Sequence, residues 1–447
     1  MDLQSLTIRF VDFMWSGPII LYFCGIGFIL TIALCFMQFR GFFKSIKYSF
    51  APSDKGVKEK KDADLTPFQA FLSVLSASLG NGSLAGMGVA IAAGGPGAAF
   101  WLLIAGFFVM IIRYAEVYLG SHFIGLSASG GSHGGPVAYL SRVPGGKFLP
   151  YLFSFFCLLY GLSSGNAMQC NSVRLALVKT LGVSNIYIIA LCIILFLLYV
   201  LLGGAHRIIA FSDSIVPVKV VVFFVSAVLL VVYHYASILP AIKLMAVSAF
   251  STKALAGGVV GATVQKALQL GFTKSINATE AGLGTAAVFF GATGRREPVK
   301  NGLMSMFSAF ISNYLVCFIV GLCIVASGAW KSGLSSTELT IRAYETFYGF
   351  LGAWVVTFCT LSFGIGVLVA YAYVSRECWL FLTKGRFVFV FNILYCVIAF
   401  LGTVGNVEFV WGACDTVNIC LVAINLYGVL WLLPIVRKGT KEFLQKN

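Results

Sequence analysis

From Ile19 to Phe36 the chain carries no charged residue, and stretches of this kind recur to its C-terminal end. A helix of about 20 apolar residues crosses the roughly 30 Å of a bilayer's hydrocarbon. In water, helices apolar on every face would all have to be hidden from solvent. Only 11% of the residues are charged and 59% are apolar, against about 25% charged in a soluble domain. The sequence therefore predicts an all-α membrane protein.

Eleven spans are expected, at about 18–38, 67–92, 97–121, 148–172, 184–203, 212–235, 258–292, 302–328, 349–382, 387–403 and 407–433. The first is a full span, not the short apolar core of a cleaved leader, and Arg9 and Asp12 interrupt the segment before it. With the spans alternating in direction, nineteen Lys and Arg residues of the loops and tails fall on one side and seven on the other. The basic side faces the cytoplasm. The expectation is a multi-pass protein of a bacterial inner membrane, N-terminus outside and C-terminus inside. Its net charge of +15 then reflects this bias and not a nucleic-acid partner, and its non-protein surroundings are membrane lipid. The charged stretch Ser53–Asp64 reads as a solvated cytoplasmic linker. Twelve cysteines are scattered through the apolar runs with no CxxC pair, so neither a disulfide framework nor a zinc site is expected.

Two spans contain what membrane helices usually avoid. Gly80-Asn81-Gly82-Ser83 interrupts the second, and Asn277-Ala278-Thr279-Glu280, followed by Gly282 and Gly284, interrupts the seventh. Backbone that leaves the helix at membrane depth must be covered by protein or line a site. Free N–H groups of a half-helix suit a carboxylate, and free carbonyls suit a cation. The two interrupted spans lie five apart and enter from opposite sides. Residues 67–235 and 258–433 would thus be two inverted five-helix units after an extra helix at 18–38. That is a LeuT-type 5+5 inverted repeat in a single transporter domain, 1–447. A channel would need a ring of like residues, and an embedded enzyme a motif such as HExxH or GxSxG. The sequence offers neither, and no catalytic residue or resident cofactor is expected. Gly86, Gly161 and Gly165 read as helix-packing positions. Arg113 and Glu116, three apart, are expected to pair, and Glu280 to support the second break. Asp415 is expected to belong to a packing network.

At these residues the chain resembles the alanine or glycine:cation symporter family. Gly80-Asn81-Gly82-Ser83-Leu84-Ala85-Gly86 is similar to that family's GTGNIAG. Gly94-Gly95-Pro96-Gly97-Ala98, Gly134-Gly135-Pro136, Gly165-Asn166-Ala167-Met168-Gln169 and Glu280-Ala281-Gly282-Leu283-Gly284 resemble further motifs, in the same order. The resemblance implies a symporter of a small neutral amino acid, alanine or glycine, with a site between the two breaks. It implies that Gly80, Asn81 and Gly82, with Ser83 beside them, face the substrate carboxylate. Gln169 would add a hydrogen bond, and Asn277, Ala278 and Thr279 would line the amino-group side. Where the family carries two hydroxyls that resemble ion ligands of this fold, this chain has Gly366 and Val367. Lys219 lies in the sixth span, about seven residues in by this reading, or roughly 10 Å of helix rise. One expectation is that it snorkels to the cytoplasmic surface. The other is that its ammonium stands where sodium would bind. The coupling ion is accordingly expected to be sodium or a proton.

Overall fold

The computed structural model describes residues 13–50, 65–125, 134–183, 185–250, 264–405 and 407–446. Among them there are helices and no strands. The expected spans coincide with helices in chain order. The helices are α1 (Pro18–Ala33), α2 (Phe42–Phe50), the pair α3 (Pro67–Ser78) and α4 (Asn81–Gly94), and α5 (Gly97–His122). Next come α6 (Leu149–Leu162) and α7 (Met168–Leu181), then α8 (Ile186–Leu202), α9 (Gly204–Tyr233) and α10 (Tyr235–Phe250). A second pair follows, α11 (Val264–Thr279) and α12 (Thr285–Gly291), then α13 (Pro298–Phe310) and α14 (Phe318–Ala326). The chain ends with α15 (Ser336–Tyr348), α16 (Leu351–Thr383), α17 (Val388–Val404), α18 (Val407–Trp431) and α19 (Leu433–Lys446). Among the described residues six helical stretches are long and apolar enough to cross a membrane, and α1, α8, α10 and α17 are shorter apolar helices. The charged linker Ser53–Asp64, with Lys55, Lys58, Lys60 and Lys61, lies outside the described residues, as does the expected start of the seventh span at 258–263.

Local chemistry accounts for where the first interrupted span begins and stops. Thr66 caps α3: its hydroxyl accepts from Gln69 N–H, and the Gln69 side chain accepts from Thr66 N–H. Pro67 occupies the first turn, where a missing N–H costs nothing. The helix ends at Ser78, Gly80 is extended, and α4 starts at Asn81. A Cβ on Gly80 would lie 2.7 Å from Val367 Cγ2, so only glycine lets the break press against α16. The interruption is therefore Leu79–Gly80, with Asn81, Gly82 and Ser83 already helical. In the second pair the interruption runs from Glu280 to Gly284, and Asn277–Thr279 form the last turn of α11. Glu280, Gly282 and Gly284 all have positive φ.

α5 is the central strut. It packs against α11, α12 and α13 and is buried along its second half, Arg113 and Glu116 included. The structure pairs these two at 3.2 Å. Gly161 and Gly165 pack as expected: a Cβ on Gly161 would meet Ser375 Oγ at 1.9 Å, and one on Gly165 the Tyr371 ring at 2.2 Å. Helices α10 and α15 fall in stretches expected to be loops. Pro240 and Lys243 break the apolar pattern of α10, and α15 is only part-apolar, with charges at Glu338, Arg342 and Glu345.

Candidate functional site

The two interruptions meet. The Ser312 hydroxyl lies 3.1 Å from Ser78 O, at the end of α3, and 2.8 Å from Ala278 O, at the end of α11. Ser312 belongs to a π-helical turn, Ile311–Cys317, between α13 and α14. Such a turn points side chains where a regular helix would not. The next residue, Asn313, accepts from the Ser275 hydroxyl at 2.7 Å and donates to Leu102 O at 3.1 Å, which ties α11 to α5.

Between the breaks lies a small, nearly closed recess of about 10 Å³, lined by residues of five helices and a second π turn. Gly80, Gly82, Ala77 and Ser78 come from the first pair and Asn277, Ala278 and Glu280 from the second. Met168 and Gln169 come from α7, Val367 and Tyr371 from α16, and Ser164 from the π turn Ser163–Ala167. Gln169 is the polar link. Its Oε1 accepts from Asn81 N–H at 3.1 Å, and its Nε2 donates to Ser164 O at 2.9 Å. It thereby holds the first N–H of α4 and the π turn in one place.

Of the sequence-predicted residues, Gly80, Gly82, Gln169, Asn277 and Ala278 line the recess. Asn81, Ser83 and Thr279 are not among its lining residues. Thr279 turns its hydroxyl back to Ser275 O at 2.6 Å. Asn81 is wholly buried with its side chain against Gly364, where a Cβ would stand 3.0 Å from Nδ2. Both polar atoms of that side chain lack a hydrogen-bond partner, as do Ser83 Oγ and Thr360 Oγ1, one turn before Gly364. Buried polar atoms without partners are rare in native folds and call for an explanation. A ligand beside the start of α4 would supply one.

Lys219 does not reach a surface. It is fully buried, and its Nζ donates at 3.0 Å to Ser76 O and at 3.0 Å to Leu79 O. Its helix, α9, packs against both α3 and α16, and these neighbours enclose the side chain. Gly366 lies beside it: a Cβ there would stand 2.6 Å from Nζ. Val367 instead presents its side chain to Gly80 and the recess.

The second break is held by charge. Glu116 Oε2 accepts from Gly282 N–H at 3.1 Å, Gly284 N–H at 3.2 Å and Asn425 Nδ2 at 3.0 Å. Its other oxygen meets Arg113, which also donates to Glu280 O at 3.2 Å. Glu280 accepts from the Thr285 hydroxyl at 2.9 Å, which fixes the side chain beside the break as expected. Asp415 has a partner the sequence did not name: its carboxylate accepts from Asn277 Nδ2 at 2.9 Å. Asn418 donates to Asn277 Oδ1, so α18 orients this residue from both ends of its amide. Ser312, Tyr371, Met168 and Ser164 were also missed. Ser163-Ser164-Gly165-Asn166, a polar run inside a span, was the available signal for one of them.

The family model described as "Sodium:alanine symporter family" matches residues 1–447. A Haemophilus influenzae protein named only as an uncharacterized transporter is 30% identical over 449 residues, covering 100% of this chain and 97% of its own. The sodium/alanine symporter AgcS of Methanococcus maripaludis is 29% identical, over 100% and 99%. A Bacillus subtilis protein named as a probable sodium/glutamine symporter, GlnT, is 28% identical, over 98% and 90%.

Proposed function

The chain belongs to the sodium:alanine symporter family, whose members are multi-pass membrane transporters and not enzymes, and on that premise we propose that it imports a small neutral amino acid, alanine or glycine, driven by a gradient of sodium or protons. The observation that carries the reading is the meeting of two interrupted helices around one buried recess. An amino acid is a zwitterion, and a recess flanked by opposite helix ends suits one. The N-terminus of α4, at Gly80 and Gly82, is the positive end of its dipole and favours a carboxylate. The C-terminus of α11, at Asn277 and Ala278, is the negative end and favours an ammonium. The unpartnered Asn81 amide and Ser83 hydroxyl beside the start of α4 offer further polar contacts. At about 10 Å³ the recess is nearly closed, with room for about one water, and Val367, Met168 and Tyr371 crowd it. A short side chain fits that setting better than a long one.

The paired interruptions support a LeuT-type arrangement, with α1 extra, α3–α9 as the first five-span unit and α11–α18 as its inverted counterpart. The asymmetry of basic residues supports an outside N-terminus and a cytoplasmic C-terminus in a bacterial inner membrane.

Labelled alanine and glycine offered to proteoliposomes test the reading, with imposed sodium or pH gradients. Saturable, gradient-driven accumulation is expected. Unlabelled alanine or glycine, D and L forms tried separately, should compete, and leucine should not. Competition by glutamine at the same concentration would move the substrate class towards the one named for the GlnT relative. Flux that never saturates would replace the carrier with a channel.

A further inference from the structure

A helix that stops inside a membrane protein leaves carbonyl oxygens of its last turn without intrahelical partners. At the end of α3 two oxygens of this region, Ser76 O and Leu79 O, converge on one atom, Lys219 Nζ, at 3.0 Å each. The ammonium also lies over the Phe363 ring, 5.4 Å from its centroid, a contact that favours a cation. Among the described residues no carboxylate pairs with it. A buried ammonium balanced only by carbonyl dipoles and a ring face is in the surroundings that suit a bound monovalent cation.

The facing helix agrees. Ser76 Oγ donates to Gly366 O at 3.0 Å, which draws α16 close to α3. A Cβ at residue 366 would stand 2.6 Å from Nζ and 2.9 Å from Ser76 Oγ. A hydroxyl-bearing side chain here would displace the lysine's amino group from its present position. Glycine leaves the room that the ammonium fills, and Val367 adds no oxygen.

We propose that Lys219 is a tethered cation: its ammonium fills a cation site formed by the end of α3 and the face of α16, so no free sodium ion enters there. This deepens the carrier reading and rests on it for its meaning, because the coupling ion must then bind elsewhere. Its test needs no transport.

The purified full-length protein is melted in sodium chloride and in choline chloride at equal ionic strength. Wild type, Lys219→Ala and Lys219→Ala/Gly366→Ser are compared. Ligand binding to the folded state raises the melting temperature in a saturable way. In choline, Lys219→Ala should melt below wild type. Sodium should then raise its melting temperature by at least about 2 °C more than it raises that of wild type. The added serine hydroxyl should lower the sodium concentration needed. Equal sodium responses in wild type and both variants would overturn the proposal, as would a Lys219→Ala protein that melts like wild type in choline. If Lys219→Ala is hard to obtain folded, purification in sodium throughout and in choline throughout decides. Recovery only in sodium supports the tethered cation, and failure in both overturns it. Wild type that takes up no amino acid would defeat the carrier reading, and the melting comparison would still decide the role of the lysine.

Discussion

Gln169 bears on both the first interruption and the recess, and it was legible through the resemblance of Gly165-Asn166-Ala167-Met168-Gln169 to a family motif. Its bonds are to Asn81 N–H and Ser164 O, so it positions the start of α4. Leaving a buried N–H unmatched costs about 1–3 kcal/mol, which is about 5- to 150-fold in affinity. Gln169→Ala should raise the alanine concentration for half-maximal uptake within that range. Uptake at wild-type affinity would remove Gln169 from the site. Gly165 makes a different prediction. A methyl there would meet the Tyr371 ring at 2.2 Å, and overpacking of a tight interior costs about 1–3 kcal/mol. Gly165→Ala should melt earlier than wild type and lose uptake, because the displaced ring lines the recess; an unchanged melt and uptake would count against this packing. Glycines and amides stand out in an apolar run, so Gly80, Gly82 and Asn277 could be read directly. Tyr371 could not, because nothing distinguishes it from other apolar residues until α16 is docked, and Val367, named for the ion position, lies at the recess instead.

Both interruptions could be read from sequence as places, but not as shapes. Glycine with asparagine marks where a helix can stop, while the length of unwound chain depends on what receives its polar groups. At the second break the receiver is Glu116 on α5, far away in sequence. Its pairing with Arg113 was legible from the three-residue spacing, but its bonds to Gly282 and Gly284 were not. Removing one partner of a buried ion pair costs about 3–5 kcal/mol. Glu116→Ala should therefore lower the melting temperature severely, and Glu116→Gln, which can still accept from one N–H, should do so less. Equal melting of both variants would show that the carboxylate's acceptor role is unimportant. The π turns at Ser163–Ala167 and Ile311–Cys317 had no periodic signal of their own. An extra residue in one turn shifts the apolar stripe by too little to read against spans that are apolar on most faces.

At the scale of the whole molecule, hydropathy marked the long apolar helices, because the bilayer permits only elements that satisfy their own backbone, and it passed over α10 and α15. Orientation is a separate matter and is open to direct test. In a background without the 12 native cysteines, a cysteine replacing the exposed Lys438 on α19 should react with an impermeant maleimide only from the cytoplasmic face. Labelling from outside intact cells would invert the topology. The contacts at the two interruptions bear on the carrier's return journey. The end of α3 rests on an ammonium, the start of α12 on a carboxylate, and Ser312 lies against the last carbonyls of both α3 and α11. None of these partners leaves with the cargo. A carrier whose broken backbone is bonded by its own side chains keeps both interruptions in place when empty, and beside the start of α4 only side-chain atoms, those of Asn81 and Ser83, are short of partners. Net uptake into empty vesicles should then run nearly as fast as exchange against preloaded alanine, and a large advantage for exchange would mean that the vacant form is the one the fold disfavours.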